Sequence, residues 1–271
     1  MRIVAVPILR NRWAYYCHSS LPSTSRLTQF VDWSSKKWDQ LGTADDGTWK
    51  KKLYVKGNHV VNQLDYQEWF LKGVPIREHL KEPVEKATIE YTSLLNEKEI
   101  HTHLQQFLKE RGPYHYKYMK YSMYWVPVSC LFVVVPLIPN IPLAYNLFRL
   151  YSHYKAYKGV QHIEALMQNN TLDFATNSTM DHILLKKTFA SSHDVVFPSD
   201  IVASFTESPS KPNLQRLEDD VDGVLDLQTI SQLAHELDMG PLELELKRAR
   251  FQILSEVAHQ RFAQSTSKGS S

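Results

Sequence analysis

Residues Tyr121 to Phe148 read YSMYWVPVSCLFVVVPLIPNIPLAYNLF and carry the strongest structural signal in the chain. This window contains no Asp, Glu, Lys, Arg or His. Because one charged side chain at the bilayer centre costs roughly 2.5–3.5 kcal/mol, a charge-free window of this length indicates an element that leaves water. The window therefore predicts a membrane-inserted segment, and the alternative interpretation is a buried helical hairpin in a soluble core.

The residues on both sides of this window are aromatic and basic. Of the 14 tyrosines in the chain, nine lie between Tyr114 and Tyr157. The basic residues interleaved with them are Lys117, Lys120, Arg149, Lys155 and Lys158. Tyr and Trp prefer the headgroup layer, and Lys and Arg mark the side of the membrane that was not translocated. The flanks therefore predict that both ends of the window lie at the same membrane surface.

Three prolines determine the shape of the window. Pro136, Pro139 and Pro142 surround Asn140. Each proline removes a backbone donor and clashes with the preceding turn, which argues against a straight helix. A turn at Asn140 leaves arms of about 15 residues, or roughly 22 Å, against a hydrocarbon core of about 30 Å. We therefore predict a re-entrant or shallow membrane hairpin over residues 121–158.

The remaining sequence predicts a mainly α-helical fold with a small N-terminal β-hairpin. The β-type runs at residues 3–6 and 13–16 form that hairpin. Residues 1–31 contain Arg and Ser but no acidic residue, so a cleaved mitochondrial presequence is the alternative interpretation. Residues 87–91 are expected to be extended, and the apolar stripe from Ile100 to Leu108 predicts a helix ending at Gly112-Pro113.

Near the C-terminus, apolar faces on both sides of Gly240-Pro241 predict an α-helical hairpin. Two helices alone seldom bury enough surface to be stable, so this hairpin is expected to bind a protein partner or to pack on the chain's own helices. The predicted organisation is a domain at 1–168 that includes the membrane hairpin, a polar loop and linker at 169–213, the C-terminal helical hairpin at 214–263 and a disordered tail at 264–271.

Several functional classes find no support in the sequence. The formal net charge is +2, too small to attract nucleic acid. Glycine-rich nucleotide-binding loops, paired Cys-x-x-Cys spacings and a nucleophile motif are all missing. We therefore expect no catalytic residue, no metal site and no cofactor, and the chain is not expected to be an enzyme. His153 and His162 are expected to be packing or surface histidines, and Arg149 is expected to bind a lipid phosphate or an acidic side chain.

One long motif resembles a known family. The order P-x-x-P-N-x-P-x-x-Y-x-x-x-R-x-x-S-H-x-x-A-x-x-G is similar to the signature of the mitochondrial K⁺–H⁺ exchange-related family. Its signature residues here are Pro136, Pro139, Asn140, Pro142, Tyr145, Arg149, Ser152, His153 and Gly159. The resemblance extends to residues 2–16, to Glu68-Trp69 and to Pro75. It implies an inner mitochondrial membrane location and a role in electroneutral potassium–proton exchange.

The sequence leaves open whether the chain itself carries the ions. An electroneutral exchanger usually holds its proton or cation on a buried carboxylate. The apolar window has none, and the nearest titratable side chains are His115 and His153. We therefore expect an accessory or regulatory subunit. The alternatives are a carrier that binds potassium on carbonyls freed by the prolines, with potassium and protons as its ligands, and a membrane-surface scaffold or adaptor without a transport role.

Overall fold

The structure is a computed structural model whose residues group into two compact units that interleave along the chain. It describes residues 1–19, 40, 43, 45, 47–48, 51–52, 64–84, 86–131, 141–208 and 212–263. The first unit comprises Met1–Arg2, Cys17–Thr88 and Lys98–Asp173, and the second comprises Ile3–Tyr16, Ile89–Glu97 and Phe174–Ser271.

A four-stranded sheet of order β2-β1-β3-β4 contains the predicted N-terminal hairpin. Strands β1 (Arg2–Leu9) and β2 (Arg12–His18) form that hairpin, which is confirmed. Strand β3 (Ala87–Tyr91) confirms the predicted extended segment, and β4 (Leu172–Thr176) completes the sheet. Strand β1 lies between β2 and β3 in the sheet, and every one of its residues after Arg2 is buried. Because side chains alternate between the two faces of a strand, both faces of β1 are covered. The hairpin is therefore one half of a larger sheet.

In the first unit, the short helix α1 (Tyr66–Gly73) begins at a side-chain cap. The Asp65 carboxylate accepts a hydrogen bond of 2.9 Å from the backbone N–H of Gln67, which satisfies a donor that the first helical turn leaves free. Phe70 and Leu71 are buried on the inner face of the helix. The cap and this buried face fix the position of the residues between them, including Glu68.

The long helix α2 (Glu97–Cys130) continues through Gly112-Pro113, so the predicted helix end at this point is wrong. A proline removes a single intrahelical hydrogen bond, and packing beyond it outweighs that cost. The missing Cβ of Gly112 lets Val160 Cγ1 approach to 3.3 Å from where a Cβ atom would lie. One turn later, His115 is fully buried. The buried face of α2 therefore extends past the proline.

Helix α3 (Ile141–Gln168) forms the second arm of the predicted apolar hairpin. Pro142 is its second residue, a position where the missing N–H costs no intrahelical bond. Pro136, Pro139 and Asn140 lie outside the described residues, so the predicted turn there stays a prediction.

A polar contact cross-links α2 and α3 within the apolar window. The Asn146 side-chain amide donates to the backbone carbonyl of Ser122 at 3.1 Å and to Ser129 Oγ at 3.3 Å. Among the described residues, no helix combines the length and apolar character needed to cross a bilayer. The membrane association of the hairpin therefore stays a prediction.

Residues 169–208 are not the polar loop that their composition predicts, and the predicted linker at 207–212 lies partly outside the described residues. Besides β4, the segment contains α4 (Ser178–Leu184) and α5 (Ser199–Glu207). These elements are too short to show a clear apolar period, and contacts distant in sequence define them. The N–H of Asn177 donates to the carbonyl of Tyr91 at 2.8 Å, and the Asn177 side chain caps α4.

Helices α6 (Leu227–Glu236) and α7 (Gly240–Ala258) confirm the predicted C-terminal helical hairpin. Their apolar faces are buried within the second unit. Short turns of 3₁₀- or π-helix occupy Arg77–His79, Gln215–Glu218 and His259–Ala263. The predicted disordered tail at 264–271 lies outside the described residues.

A buried arginine holds the base of this hairpin in place. Arg250 is 1% exposed, and its guanidinium donates to three backbone carbonyls. The acceptors are Leu225 O at 2.9 Å, Leu217 O at 2.8 Å and Asp219 O at 2.6 Å. The described residues between α5 and α6 form no strand or long helix, so this arginine supplies donors to carbonyls that regular structure would otherwise pair.

Candidate functional site

The first unit buries a carboxylate between α1 and α3. Glu68 projects from α1, and its two oxygens accept hydrogen bonds from both terminal nitrogens of Arg149, at 2.9 Å and 3.3 Å. Ser152, three residues further along α3, donates its hydroxyl to Glu68 Oε1 at 2.6 Å. The two-point contact fixes the relative orientation of both side chains, as planar guanidinium–carboxylate pairs do.

These contacts keep the buried carboxylate ionised. Burial by itself raises the pKa of Glu68, because it disfavours the charged form. The hydrogen bond from Ser152 and the positive charge of Arg149 act in the opposite direction and prevail, so the pKa of Glu68 lies below its ordinary value. At neutral pH the site therefore contains a closed ion pair with no net charge.

Two buried histidines extend this cluster from α3 to α2. Arg149 Nη2 lies 2.8 Å from His153 Nε2, and His153 Nδ1 lies 3.1 Å from His115 Nδ1. A guanidinium has only donors, so His153 Nε2 accepts and the proton of the neutral ring is on Nδ1. His153 Nδ1–H then donates to His115 Nδ1, which places the His115 proton on Nε2. The contacts thus assign both tautomers.

The end of this chain of hydrogen bonds is unsatisfied. His115 Nε2 is buried and has no hydrogen-bond partner among the described residues. Burial is the main reason that the pKa values of His115 and His153 fall to about 4, since it disfavours the imidazolium form. Both rings are therefore neutral at physiological pH, in agreement with the tautomers that the contacts assign.

Close packing positions α1, α2 and α3 around the cluster. A Cβ atom on Gly159 would lie only 2.2 Å from the backbone oxygen of Leu71, so glycine is required for α1 to approach α3 this closely. On the other side, the ring of Tyr118 stacks on His153, with 5.6 Å between ring centroids and an interplanar angle of 26°. Tyr114 contacts both histidine rings edge-on. The surroundings of the two imidazoles are thus aromatic.

The arrangement offers two kinds of chemistry. The hydrogen bonds connect Glu68, Arg149, His153 and His115 in one continuous chain. In addition, one oxygen of Glu68 and one nitrogen of each histidine lie within 4.8 Å of one another, which is the spacing of ligands around one metal ion. No metal site is expected from the sequence, and these three residues are far apart in the chain and match no ligand motif.

The structure brings together only some of the signature residues. Arg149, Ser152 and His153 lie in the cluster, and Arg149 binds an acidic side chain, one of its two predicted roles. Pro142 and Tyr145 are exposed near the start of α3, and Gly159 lies against α1. Pro136, Pro139 and Asn140 are among the residues that the structure does not describe.

Sequence reasoning missed the roles of Glu68 and His115. A signal for the first exists, because Arg149, Ser152 and His153 are spaced to share one face of a helix. An arginine and two hydrogen-bonding residues on one face of an otherwise apolar helix point to an acidic partner on another element. His162, by contrast, is a packing histidine as expected, since its Nδ1–H donates to the carbonyl of Pro75 at 2.7 Å.

Comparison with known proteins covers the region that contains the cluster. Residues 2–167 match the model of a family described as mitochondrial K⁺–H⁺ exchange-related. An uncharacterized protein of Schizosaccharomyces pombe is 27% identical over 150 residues, which cover 54% of this chain and 66% of that protein. The match therefore spans just under two thirds of the relative's length. No solved structure matches the chain.

Proposed function

Since the chain belongs to the mitochondrial K⁺–H⁺ exchange-related family, we propose that it supports potassium–proton exchange at the inner mitochondrial membrane as an accessory or regulatory subunit. The observation that carries this proposal is the closed Glu68–Arg149 ion pair between α1 and α3. The alternative is a membrane-surface scaffold without a transport role. It is supported by the exposed surface of α2 and α3 described next, and the transport assay below distinguishes the two roles.

The exposed surface of α2 and α3 supports attachment to the membrane. From Tyr121 onward α2 has no charged residue, and its large apolar side chains face outward on several sides. The exposed ones in this part of the two helices are Tyr121, Met123, Tyr124, Trp125, Val128, Leu131, Tyr145 and Leu147. A group of exposed large apolar side chains of this size marks a site of contact with a membrane or a protein.

The dimensions of this surface fit insertion into one leaflet. The uncharged end of α2 and the one residue that follows it, residues 121–131, are about 16 Å long at 1.5 Å per residue, and half of the hydrocarbon core measures about 15 Å. Two lysines precede this end. The ammonium group of Lys120 lies 4.3 Å from the Tyr116 ring centroid, and that of Lys117 lies 5.7 Å from the Tyr121 ring centroid. We propose that the lysines remain at the headgroups while residues 121–131 enter the acyl region.

Flotation of the purified protein with cardiolipin-containing vesicles tests the attachment. Trp125→Glu places a charge on a side chain that is 61% exposed at the proposed inserted end. One charge costs roughly 2.5–3.5 kcal/mol in the acyl region, which lowers the membrane partition constant about a hundredfold. The matched control is Val196→Glu, at a position that is 73% exposed in the second unit. Equal flotation of both variants would refute insertion by α2.

The charge balance of the cluster favours the accessory role over a carrier. Among the described residues, Glu68 is the only buried carboxylate. A potassium ion bound there would need its negative charge, which Arg149 already neutralises at 2.9 Å. An arginine does not lose its proton in proteins, so a cation can take its place only by displacing the whole side chain, and a proton taken up or released at this pair could not drive that exchange. The pair therefore acts as a structural and regulatory contact in this proposal.

A transport assay separates the proposals. Purified protein in liposomes with an imposed pH gradient should not dissipate the gradient when potassium is added, if the chain is accessory. Mitochondria that lack the protein should show reduced potassium–proton exchange, and the wild-type chain should restore it. If potassium instead causes the wild-type protein to dissipate the pH gradient, and Glu68→Gln abolishes this effect, the chain is a carrier. Normal exchange in mitochondria that lack the protein would leave the scaffold role.

We propose further that α6 and α7 bind the protein partner of an accessory subunit. The apolar face of this hairpin is buried, so the partner would contact its outer face, where Leu244 is 58% exposed between Glu243 and Glu245. Leu244→Glu should reduce the size of the native complex in blue-native electrophoresis. A complex of unchanged size would exclude Leu244 from the interface.

A further inference from the structure

We propose that Glu68, His115 and His153 form a binding site for Zn²⁺, and that Arg149 competes with the ion for this site. The three residues are 3%, 0% and 2% exposed, and one ligand atom from each lies within 4.8 Å of the other two. Two histidines and one carboxylate are an established ligand set for zinc in proteins. This inference goes beyond the proposed function, because imidazole nitrogen suits zinc, whereas potassium takes oxygen ligands.

The facing nitrogens of the two histidines already have the separation that zinc requires. His115 Nδ1 and His153 Nδ1 are 3.1 Å apart. Zinc–nitrogen bonds of about 2.0–2.1 Å at a tetrahedral angle place two nitrogen ligands about 3.3 Å apart. Both rings are neutral in the observed network, and neutral imidazole is the form that coordinates a metal. The ion would therefore lie between the two Nδ1 atoms, in the position that the His153 Nδ1 proton now occupies.

The hydrogen bond from Arg149 excludes the metal-bound arrangement. Because Arg149 Nη2 donates to His153 Nε2, the His153 proton is held on Nδ1, where a metal would bind. Coordination through Nδ1 moves this proton to Nε2, and two N–H donors then face each other, so Arg149 must withdraw. No proton is released by this step, since the same ring keeps it. Withdrawal of Arg149 also frees an oxygen of Glu68 to act as the third ligand.

Zinc therefore exchanges one partner of the cluster for another. In the observed state, the guanidinium supplies the positive charge that the buried carboxylate needs. In the metal-bound state, the ion supplies that charge. The two states are mutually exclusive at His153, and the removal of Arg149 should strengthen zinc binding while the removal of either histidine should weaken it. A merely structural cluster would not respond to the two kinds of substitution in opposite directions.

Titration calorimetry of the metal-free full-length protein in mild detergent tests the site. Wild type should bind one Zn²⁺ per chain. We expect His115→Gln and His153→Gln to weaken the affinity at least tenfold, and Arg149→Met to strengthen it at least tenfold. The matched control is His103→Gln, which replaces an exposed histidine on α2, the helix that carries His115. This variant should bind zinc like wild type. Absence of zinc binding by wild type, or equal affinity in all four variants, overturns the proposal.

A second measurement keeps the test decisive if a histidine variant does not fold. X-ray absorption of the zinc-loaded wild-type protein should show scattering from two imidazole rings and a nearby oxygen. A shell that contains sulfur, or oxygen alone, would place the ion elsewhere and refute the assignment. Both measurements are independent of transport, so they do not depend on the proposed function.

Discussion

Gly159→Ala is the substitution that connects the packing of the first unit most directly to its buried cluster. The new Cβ would lie 2.2 Å from the backbone oxygen of Leu71 and 3.1 Å from its carbonyl carbon. A carbon and a carbonyl oxygen approach no closer than about 3.3 Å without repulsion. Helix α1 must therefore move by about 1 Å relative to α3, and Glu68 moves with it.

This displacement is large compared with the tolerance of the hydrogen bonds. A movement of about 1 Å lengthens the 2.9 Å contact between Arg149 Nη1 and Glu68 Oε1 toward 3.9 Å, which is beyond hydrogen-bond range. Overpacking costs about 1–3 kcal/mol, and weakening of the buried pair adds to it. The gain in helix propensity from Gly to Ala offsets about 1 kcal/mol. We expect a net loss of about 3 kcal/mol in the free energy of unfolding.

Urea unfolding in mild detergent, followed by circular dichroism, measures this loss. The matched controls form a series in which the obstacle decreases. Gly112→Ala meets only the side chain of Val160 at 3.3 Å, and a Cβ on Gly240 has no atom within 4 Å. We expect a loss of about 1 kcal/mol for the first and less than about 0.5 kcal/mol for the second. A Gly159→Ala protein as stable as Gly240→Ala would refute the assigned contact between α1 and α3.

Four further predictions concern pH and single contacts. Acidification from pH 7 to 4 should lower the unfolding temperature of the metal-free protein. The pKa values of His115 and His153 are about 4 when folded, against an ordinary value of 6.5, so the unfolded chain binds protons first. Each neutral histidine contributes about 2–3 kcal/mol to the free energy of unfolding above pH 6.5, and this contribution is lost as the pH falls toward 4. An unfolding temperature that does not change with pH would contradict the burial of neutral rings. Arg250→Met should cost about 3 kcal/mol in urea unfolding, because three backbone carbonyls lose their donor and two of them, on Leu217 and Leu225, belong to buried residues; a loss below 1 kcal/mol would argue against those bonds. Ser152→Ala should lower the free energy of unfolding by about 1.5–3 kcal/mol, because it removes a donor to a buried charge. Urea unfolding of this variant measures the loss. Asp226→Ala should cost about 1 kcal/mol through loss of the cap on α6, and Asp226→Asn should retain most of that stability.

The elements that sequence reasoning predicted are those that a local pattern specifies. The β-type runs of residues 3–6 and 13–16 form the hairpin, and the apolar faces around Gly240-Pro241 form α6 and α7. The errors occur where distant contacts outweigh the local signal. Pro113 does not end α2, because the helix continues to bury its face beyond it. Strand β4 looks polar in sequence, and its pairing in the sheet makes it a strand.

The candidate site shows the same division. Arg149, Ser152 and His153 were identified from one motif on one helix, and they share a face because of the helical period. Their partners lie 81 residues away at Glu68 and 38 residues away at His115, on helices whose packing is not encoded by any spacing.

The mainly helical character of the chain, its uncharged proline-containing window and the family pattern of residues 2–167 can all be recognised without a structure. These properties depend on residues near one another in the chain. The folded chain was needed to see that an arginine neutralises the one buried carboxylate among the described residues, and that two neutral imidazoles face each other beside it. Burial and charge pairing depend on which helices come into contact, and that is a property of the packed molecule.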